Sequence, residues 1–342
     1  MKNGIRIFQI AFTYIGTVVG AGFATGQEVI QFFTQYGKWG TLTIMLATIL
    51  FIWLGTKVML ISRRISAQSF EDLNKHFFGP KAGSLISIVM LFVLIGVNSV
   101  MLAGAGSVLM EQLNLHYQTG LLLTVIGTYF LLQRGIHAIL QINSIVVPIM
   151  LLLSVLILLN TMKLPTADRF LSLSTDGHIG AIWLAPIIYT AFNLVLSQAV
   201  LVPLGSKTES TTAVKWGGII GGIGIGLLLL SVHIAISAHM PGIRQYEIPM
   251  GSIASHLGTV VQIIYAVIIF MEIFSTFVAN VYGIILQLQQ HIPLSPKLIL
   301  ACVMFICYML SQIGFSSLLS VLYPLFGCLA IVWALKLVLQ SK

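Results

Sequence analysis

Apolar residues run along this chain in stretches of about 20, the length that crosses roughly 30 Å of hydrocarbon as a helix. Short polar or glycine- and proline-bearing stretches separate them. The pattern predicts ten spans, at approximately 5–33, 40–61, 83–110, 120–132, 137–159, 181–204, 216–238, 260–287, 298–311 and 317–339. The third and eighth are long enough to tilt. Segment 66–78 is amphipathic and predicts a helix lying on the inner membrane surface. Segment 246–257 predicts a short outer helix capping the bundle.

Composition sharpens this picture. The chain has 342 residues, 58% hydrophobic and 8% charged, against about 25% charged in an ordinary globular protein. The reading is an all-α polytopic membrane protein with a single transmembrane domain over 1–342. The net charge of +8 does not point to nucleic acid, because the basic residues lie in short loops and form no basic domain. With the N-terminus in the cytoplasm, Lys2, Arg6, Lys57, Arg63, Arg64, Lys75, Lys81, Arg134, Lys207, Lys215, Lys297, Lys336 and Lys342 fall inside. Only Lys38, Lys163, Arg169 and Arg244 fall outside, and thirteen against four places both termini in the cytoplasm of a cell (inner or plasma) membrane. Cys302, Cys307 and Cys328 lie in apolar runs and read as small buried hydrophobes, with neither disulfide nor metal spacing. The N-terminus has the outline of a signal peptide. The apolar pattern resumes after its glycines, so it is read as the first span.

The spans compare five against five. The second and seventh start 176 residues apart, and Pro148 and Pro324 of the fifth and tenth share that offset. Five spans per half is odd, so the second half (about 181–339) must be inverted relative to the first (about 5–160). Paired interruptions in corresponding helices of such halves point to a transporter binding site. The first span is interrupted at residues 16–28, GTVVGAGFATGQE, and the sixth has a weak centre at YTAFN, residues 189–193. A break in a membrane helix is tolerated where it lines a cavity buried in protein. It exposes carbonyls, which suit a cation, and N–H groups, which suit a carboxylate. Glu28 has a structural explanation, since Thr25-Gly26-Gln27-Glu28 fits the capping box T-x-x-E. A proton-carrying or substrate-contacting role is its functional alternative. The glycines Gly218, Gly222 and Gly226 read as helix packing, and His137 and His233 as hydrogen-bonded structural histidines.

The glycine-rich first span, ten spans and the YTAFN centre resemble the YkvI-like bacterial membrane proteins of the amino acid–polyamine–organocation superfamily. The resemblance covers essentially the whole chain and implies a LeuT-type five-plus-five fold with broken helices 1 and 6. It also implies a sodium site at the carbonyls of Gly16 and Val19 and the hydroxyls of Ser275 and Thr276. The substrate pocket would be lined by Gly20, Ala21, Gly22, Phe23 and Ala24, by Tyr189, Thr190, Ala191, Phe192 and Asn193, and by Asn98. Glu272, Thr276 and Asn280 share one helix face. A protonatable acid there keeps proton coupling open, while the absence of a lysine in span five favours sodium. The function implied is sodium-coupled symport of a small organic solute, such as an amino acid or related amine, by alternating access. The alternatives are a proton-coupled transporter of the same fold and a solute-sensing receptor subunit. No HExxH and no intraspan Asp suggest an enzyme, the break lacks the side-chain oxygens a divalent metal wants, and no cofactor beyond a coupling ion is implied.

Overall fold

The computed structural model describes residues 2–134, 136–175 and 177–340. Lys342 and the side chains of His137, Pro324 and Cys328 lie outside the described residues. All regular structure among the described residues is helical. The elements are α1 (Lys2–Val18), α2 (Ala21–Thr25), α3 (Gln27–Phe32), α4 (Trp39–Leu50), α5 (Thr56–Arg64), α6 (Phe70–Phe78), α7 (Pro80–Leu113), α8 (Tyr117–Leu132), α9 (Ile136–Thr161), α10 (Arg169–Ser172), α11 (Ile179–Ser206), α12 (Thr211–Ala238), α13 (Pro249–Ser255), α14 (Thr259–Gln289), α15 (Pro296–Ser311) and α16 (Phe315–Leu339). A π-helical segment, Phe51–Gly55, joins α4 to α5 without interrupting the span. Six of these helical runs are long and apolar enough to cross a membrane, and shorter apolar helices accompany them. Their outward faces carry Phe92, Phe130, Leu152, Trp53, Val260 and Phe305, all exposed, as a lipid-facing belt requires.

Local chemistry sets the helix ends. Pro80 opens α7, where its missing N–H costs nothing. The hydroxyls of Ser210 and Ser295 accept the backbone N–H groups of Ala213 and Leu298 at the starts of α12 and α15. The core is one connected set of buried side chains running from Ile10 to Leu337.

The glycines of α12 let it approach the second span. A Cβ built on Gly222 would meet the Ile52 backbone N at 2.7 Å, and one on Gly226 would lie 2.5 Å from Thr48 Cγ2. Gly218 abuts Thr56 in the same way. This is close helix contact by small residues.

Three sequence expectations are corrected or refined here. The sixth span is not broken: α11 is continuous from Ile179 to Ser206, passing through Pro186 and Pro203. YTAFN holds no glycine, and Asn193 turns back onto the helix, its Nδ2 donating to the Tyr189 carbonyl at 3.0 Å. Helix α6 forms within the amphipathic segment 66–78, and its apolar face is taken up by protein. Phe70, Leu73 and Phe77 bury against the bundle rather than lipid. Cys302 also departs from expectation, being exposed, while Cys307 is buried.

Helix α6 also carries a polar lock. Ser69 and Asp72 form a capping box at its start. The Asn74 amide donates to Ser87 Oγ at 2.9 Å, and its oxygen accepts the Trp333 indole N–H at 2.9 Å. Glu71 is fully buried and accepts from Lys75 Nζ at 2.8 Å, from Ser84 Oγ at 2.8 Å, and from Gln287 and His291 of the α14 end. Burial pushes its carboxyl up, but the hydrogen bonds from Lys75, His291 and Ser84 outweigh it and hold the pKa at about 2, below the usual 4.5. A depressed pKa contributes stability above the unfolded value of 4.5, and that stability is lost as pH falls towards 2. Glu71→Gln is therefore expected to cost about 1.5–3 kcal/mol near neutral pH, the range for hydrogen bonds to a charged group. Melting curves from neutral to acidic pH check this: the gap between variant and wild type should narrow below the ordinary carboxylate range.

Candidate functional site

The first span breaks twice. Helix α1 stops at Val18, and Gly20 is extended at φ −97° and ψ −168°. The short helix α2 follows, then Gly26 at φ +92°, a left-handed conformation that favours glycine. Helix α3 restarts at Gln27. Around Gly26 the chain packs on Ile236 of α12 and Met250 of α13, so segment 246–257 does cover the break. Gln27 Nε2 ties to that cover through the carbonyls of Tyr246 and Glu247 at 2.8 and 3.2 Å.

The expected Thr25–Glu28 capping box is not formed. Thr25 is still helical, so its hydroxyl donates back to the Gly22 carbonyl at 3.2 Å, and Gly26 takes the N-cap position of α3 with no side-chain cap. Glu28 lies instead against Gly22, where a Cβ would come within 2.5 Å of its Cγ. The buried acid thus sits across the α2 turn, in the first turn of α3, where a helix dipole favours a negative charge.

At the first break the carbonyls have a partner on α14. Thr276 Oγ1 donates to the Gly16 carbonyl at 2.8 Å and lies 3.1 Å from the Val19 carbonyl. The carbonyls of Gly16 and Val19 and the hydroxyl of Thr276 therefore converge on one point. Ser275 does not join them through its hydroxyl, which donates to Glu272 O of its own helix at 3.1 Å. Glu272 is one turn before Thr276, fully buried, and among the described residues neither carboxylate oxygen has a hydrogen-bond partner.

The N–H side of the break is also engaged. Ala21 N–H points at the thioether of Met101 on α7, with N to Sδ 3.2 Å. A thioether is a weak acceptor, so the N–H directed at the break is covered by a soft, movable group. Asn98 lies one turn from Met101 on α7, fully buried, with neither amide atom partnered among the described residues. Gly20, Ala21, Gly22, Phe23 and Ala24 are all buried, so the break is closed around itself.

The α11 residues occupy a neighbouring region. Tyr189 lies among Phe32, Phe33 and Phe51, tilted to the first and edge-on to the other two, with ring centroids at 5.2, 5.0 and 6.1 Å. Thr190, Ala191, Phe192 and Asn193 are buried beside it, and the Thr190 hydroxyl has no partner among the described residues. His233 is satisfied by the Thr34 hydroxyl at 3.0 Å, with Thr41 at 3.4 Å. The chain also holds a cavity of about 570 Å³ bounded by Tyr36, Arg169, Thr175 and Arg244; none of its lining residues is a predicted site residue. Sequence reasoning missed Met101 and Asn143. Each is a mid-helix residue of ordinary surroundings, and only helix rotation brings it to the break.

The chain matches no family model. It is 38% identical over 332 residues to the membrane protein YkvI of Bacillus subtilis (strain 168), covering 95% of this chain and 93% of YkvI. This chain belongs to the YkvI family of membrane proteins. A second relative, YyaD of the same organism, is 26% identical over 315 residues, covering 92% of this chain and 91% of YyaD. Neither YkvI nor YyaD is characterised in function. Among solved structures, MhsT in complex with L-phenylalanine superposes with a TM-score of 0.73 at 16% identity, covering 98% of this chain and 92% of MhsT. A Na+-coupled sialic acid symporter in a substrate-bound outward-open state gives 0.65 at 14% identity, covering 96% and 73%. A manganese transporter of Eremococcus coleocola gives 0.58 at 14% identity, covering 98% and 76%. At these identities the likeness concerns the fold, and the YkvI family chain has the LeuT-type fold.

Proposed function

We propose that this chain is a secondary active transporter that couples sodium entry to symport of a small organic solute, such as an amino acid or related amine. The observation that carries the reading is the meeting of Thr276 with the Gly16 and Val19 carbonyls at the first break. Unwound backbone carbonyls in a dry site replace the hydration shell of a monovalent cation. Ser275 joins the ion by turning its hydroxyl from the Glu272 carbonyl. On the other side of the break, a solute carboxylate takes the Ala21 N–H by displacing the Met101 thioether. Phe23 and Ala24, with Asn98 and the 189–193 stretch, form the remaining pocket wall.

The ten spans are read as two inverted halves, about 5–160 and 181–339, in a cell membrane with both termini cytoplasmic. The break in the first span then has no counterpart in the sixth, and alternating access moves the first half's broken helix against the α7 and α14 scaffold. Ion binding favours one orientation of the bundle and solute permits closure, which requires each ligand to bind the two states unequally. The solved structures of similar fold named above include a Na+-coupled symporter and a manganese transporter. Neutral oxygens at the break suit a monovalent ion better than a divalent one.

Glu272 supports a second reading, proton coupling. A buried carboxylate without partners needs a counter-cation or a proton, and it sits one turn from the ion site.

A thermal-stability scan of the purified protein tests the function. Amino acids, amines and nucleobases are each added in sodium and again in choline. A bound ligand at about 100 times its Kd stabilises by about 2.7 kcal/mol, a readily measured shift. Shifts that need sodium are expected. Sodium-independent shifts that follow pH would move the coupling to Glu272, and binding without transport would make the chain a sensor.

A further inference from the structure

We infer that Asn143 of α9 is a ligand of the cation held at the first break, supplying its carboxamide oxygen as a selector for sodium. The inference rests on the sodium reading above and goes beyond it by naming a residue from a third helix.

Helix α9 packs against both α1 and α14. Between Ile139 and Met150 its buried residues are Ile139, Leu140, Asn143, Val146, Val147 and Met150, of which only Asn143 is polar; Ser154 and Thr161 are the buried polar residues further along. Asn143 is fully buried, and among the described residues neither its Nδ2 nor its Oδ1 has a hydrogen-bond partner. A buried amide is normally satisfied, so one held in an apolar stripe without a protein partner marks a place where something else binds.

Its position says what. The amide lies flat on Gly16: a Cβ built on that glycine would meet Asn143 Cγ at 2.7 Å and Nδ2 and Oδ1 at 2.9 Å. Gly16 is the residue whose carbonyl accepts the Thr276 hydroxyl. Glycine at position 16 is thus required for this approach, since any side chain would push the amide away. The amide therefore lies against the residue that supplies one of the two carbonyls converging on the Thr276 hydroxyl. These are neutral oxygen donors, suited to a weakly charged hard cation. The Glu272 carboxylate, one turn along α14 from Thr276, supplies the negative charge that a cation in this dry region needs.

The test is a sodium titration of melting temperature at constant ionic strength, with choline as the balancing cation and lithium as a second probe. It uses full-length purified protein and needs no solute. Asn143→Ala is expected to raise the sodium concentration for half-maximal stabilisation at least tenfold, about the 1.4 kcal/mol that one decade represents. Asn143→Asp keeps the oxygen and adds charge, so it is expected to tighten sodium and to change the lithium-to-sodium preference. An Asn143→Ala titration matching wild type, with Thr276→Ala losing its response, overturns the inference and leaves the sodium site standing. No sodium response in wild type overturns the sodium reading and this inference together. Should Asn143→Ala fail to fold, Asn143→Asp decides: an unchanged midpoint and unchanged lithium preference overturn it.

Discussion

Thr276→Ala is expected to abolish sodium-dependent stabilisation, or to move its midpoint at least tenfold, while the protein still folds. The hydroxyl meets both the Gly16 and Val19 carbonyls, so its removal takes away a ligand and the group that holds the two carbonyls in register. The structural cost is smaller than the functional one. Interhelical hydrogen bonds in membrane proteins average about 0.6 kcal/mol, whereas a tenfold loss of ion affinity is about 1.4 kcal/mol. Thr276→Ser separates the two terms: it keeps the hydroxyl and should keep the sodium response. A Thr276→Ala protein with wild-type sodium dependence would remove the ion from this break.

Gly222→Val is expected to give a large stability loss away from the site. The added carbon falls 2.6 Å from Ile52 Cγ1, 2.7 Å from its backbone N and 2.8 Å from its Cα. Backbone cannot rotate aside as a side-chain tip can, so α12 must move off the second span. Overpacking of this kind costs about 1–3 kcal/mol and occasionally more. Gly4→Ala is the control, because no atom lies within 4 Å of a Cβ there. A lowered melting temperature for Gly222→Val beside an unchanged Gly4→Ala is the expected pair. Equal melting temperatures would mean that α12 and the second span do not pack as closely as described.

Much of the fold is legible in the apolar pattern, because in hydrocarbon each span must satisfy its own backbone. The starts of α7, α9, α12 and α14 lie within a few residues of those expected. The break is legible too, since Gly20 and Gly26 are poor helix residues at bilayer depth. What misled was local reading where tertiary structure decides. T-x-x-E at Thr25 suggested a cap, but the left-handed Gly26 made the turn instead. YTAFN looked weak for a helix, yet lacks the glycine that would free its backbone. The amphipathic stripe of α6 announces a buried face without saying whether lipid or protein buries it. Convergence is the least legible in sequence: Thr276 follows from a family likeness, while Met101 and Asn143 reach the break only through rotation and register of separate helices.

The most direct measurement is the current across proteoliposomes when solute is added on one side. The solute is the one that stabilises the purified protein. The account predicts a transient charge movement with added solute in sodium, lost in choline and sharply reduced in Thr276→Ala. Solute that binds and stabilises the protein yet produces neither current nor uptake under any sodium or proton gradient would contradict it.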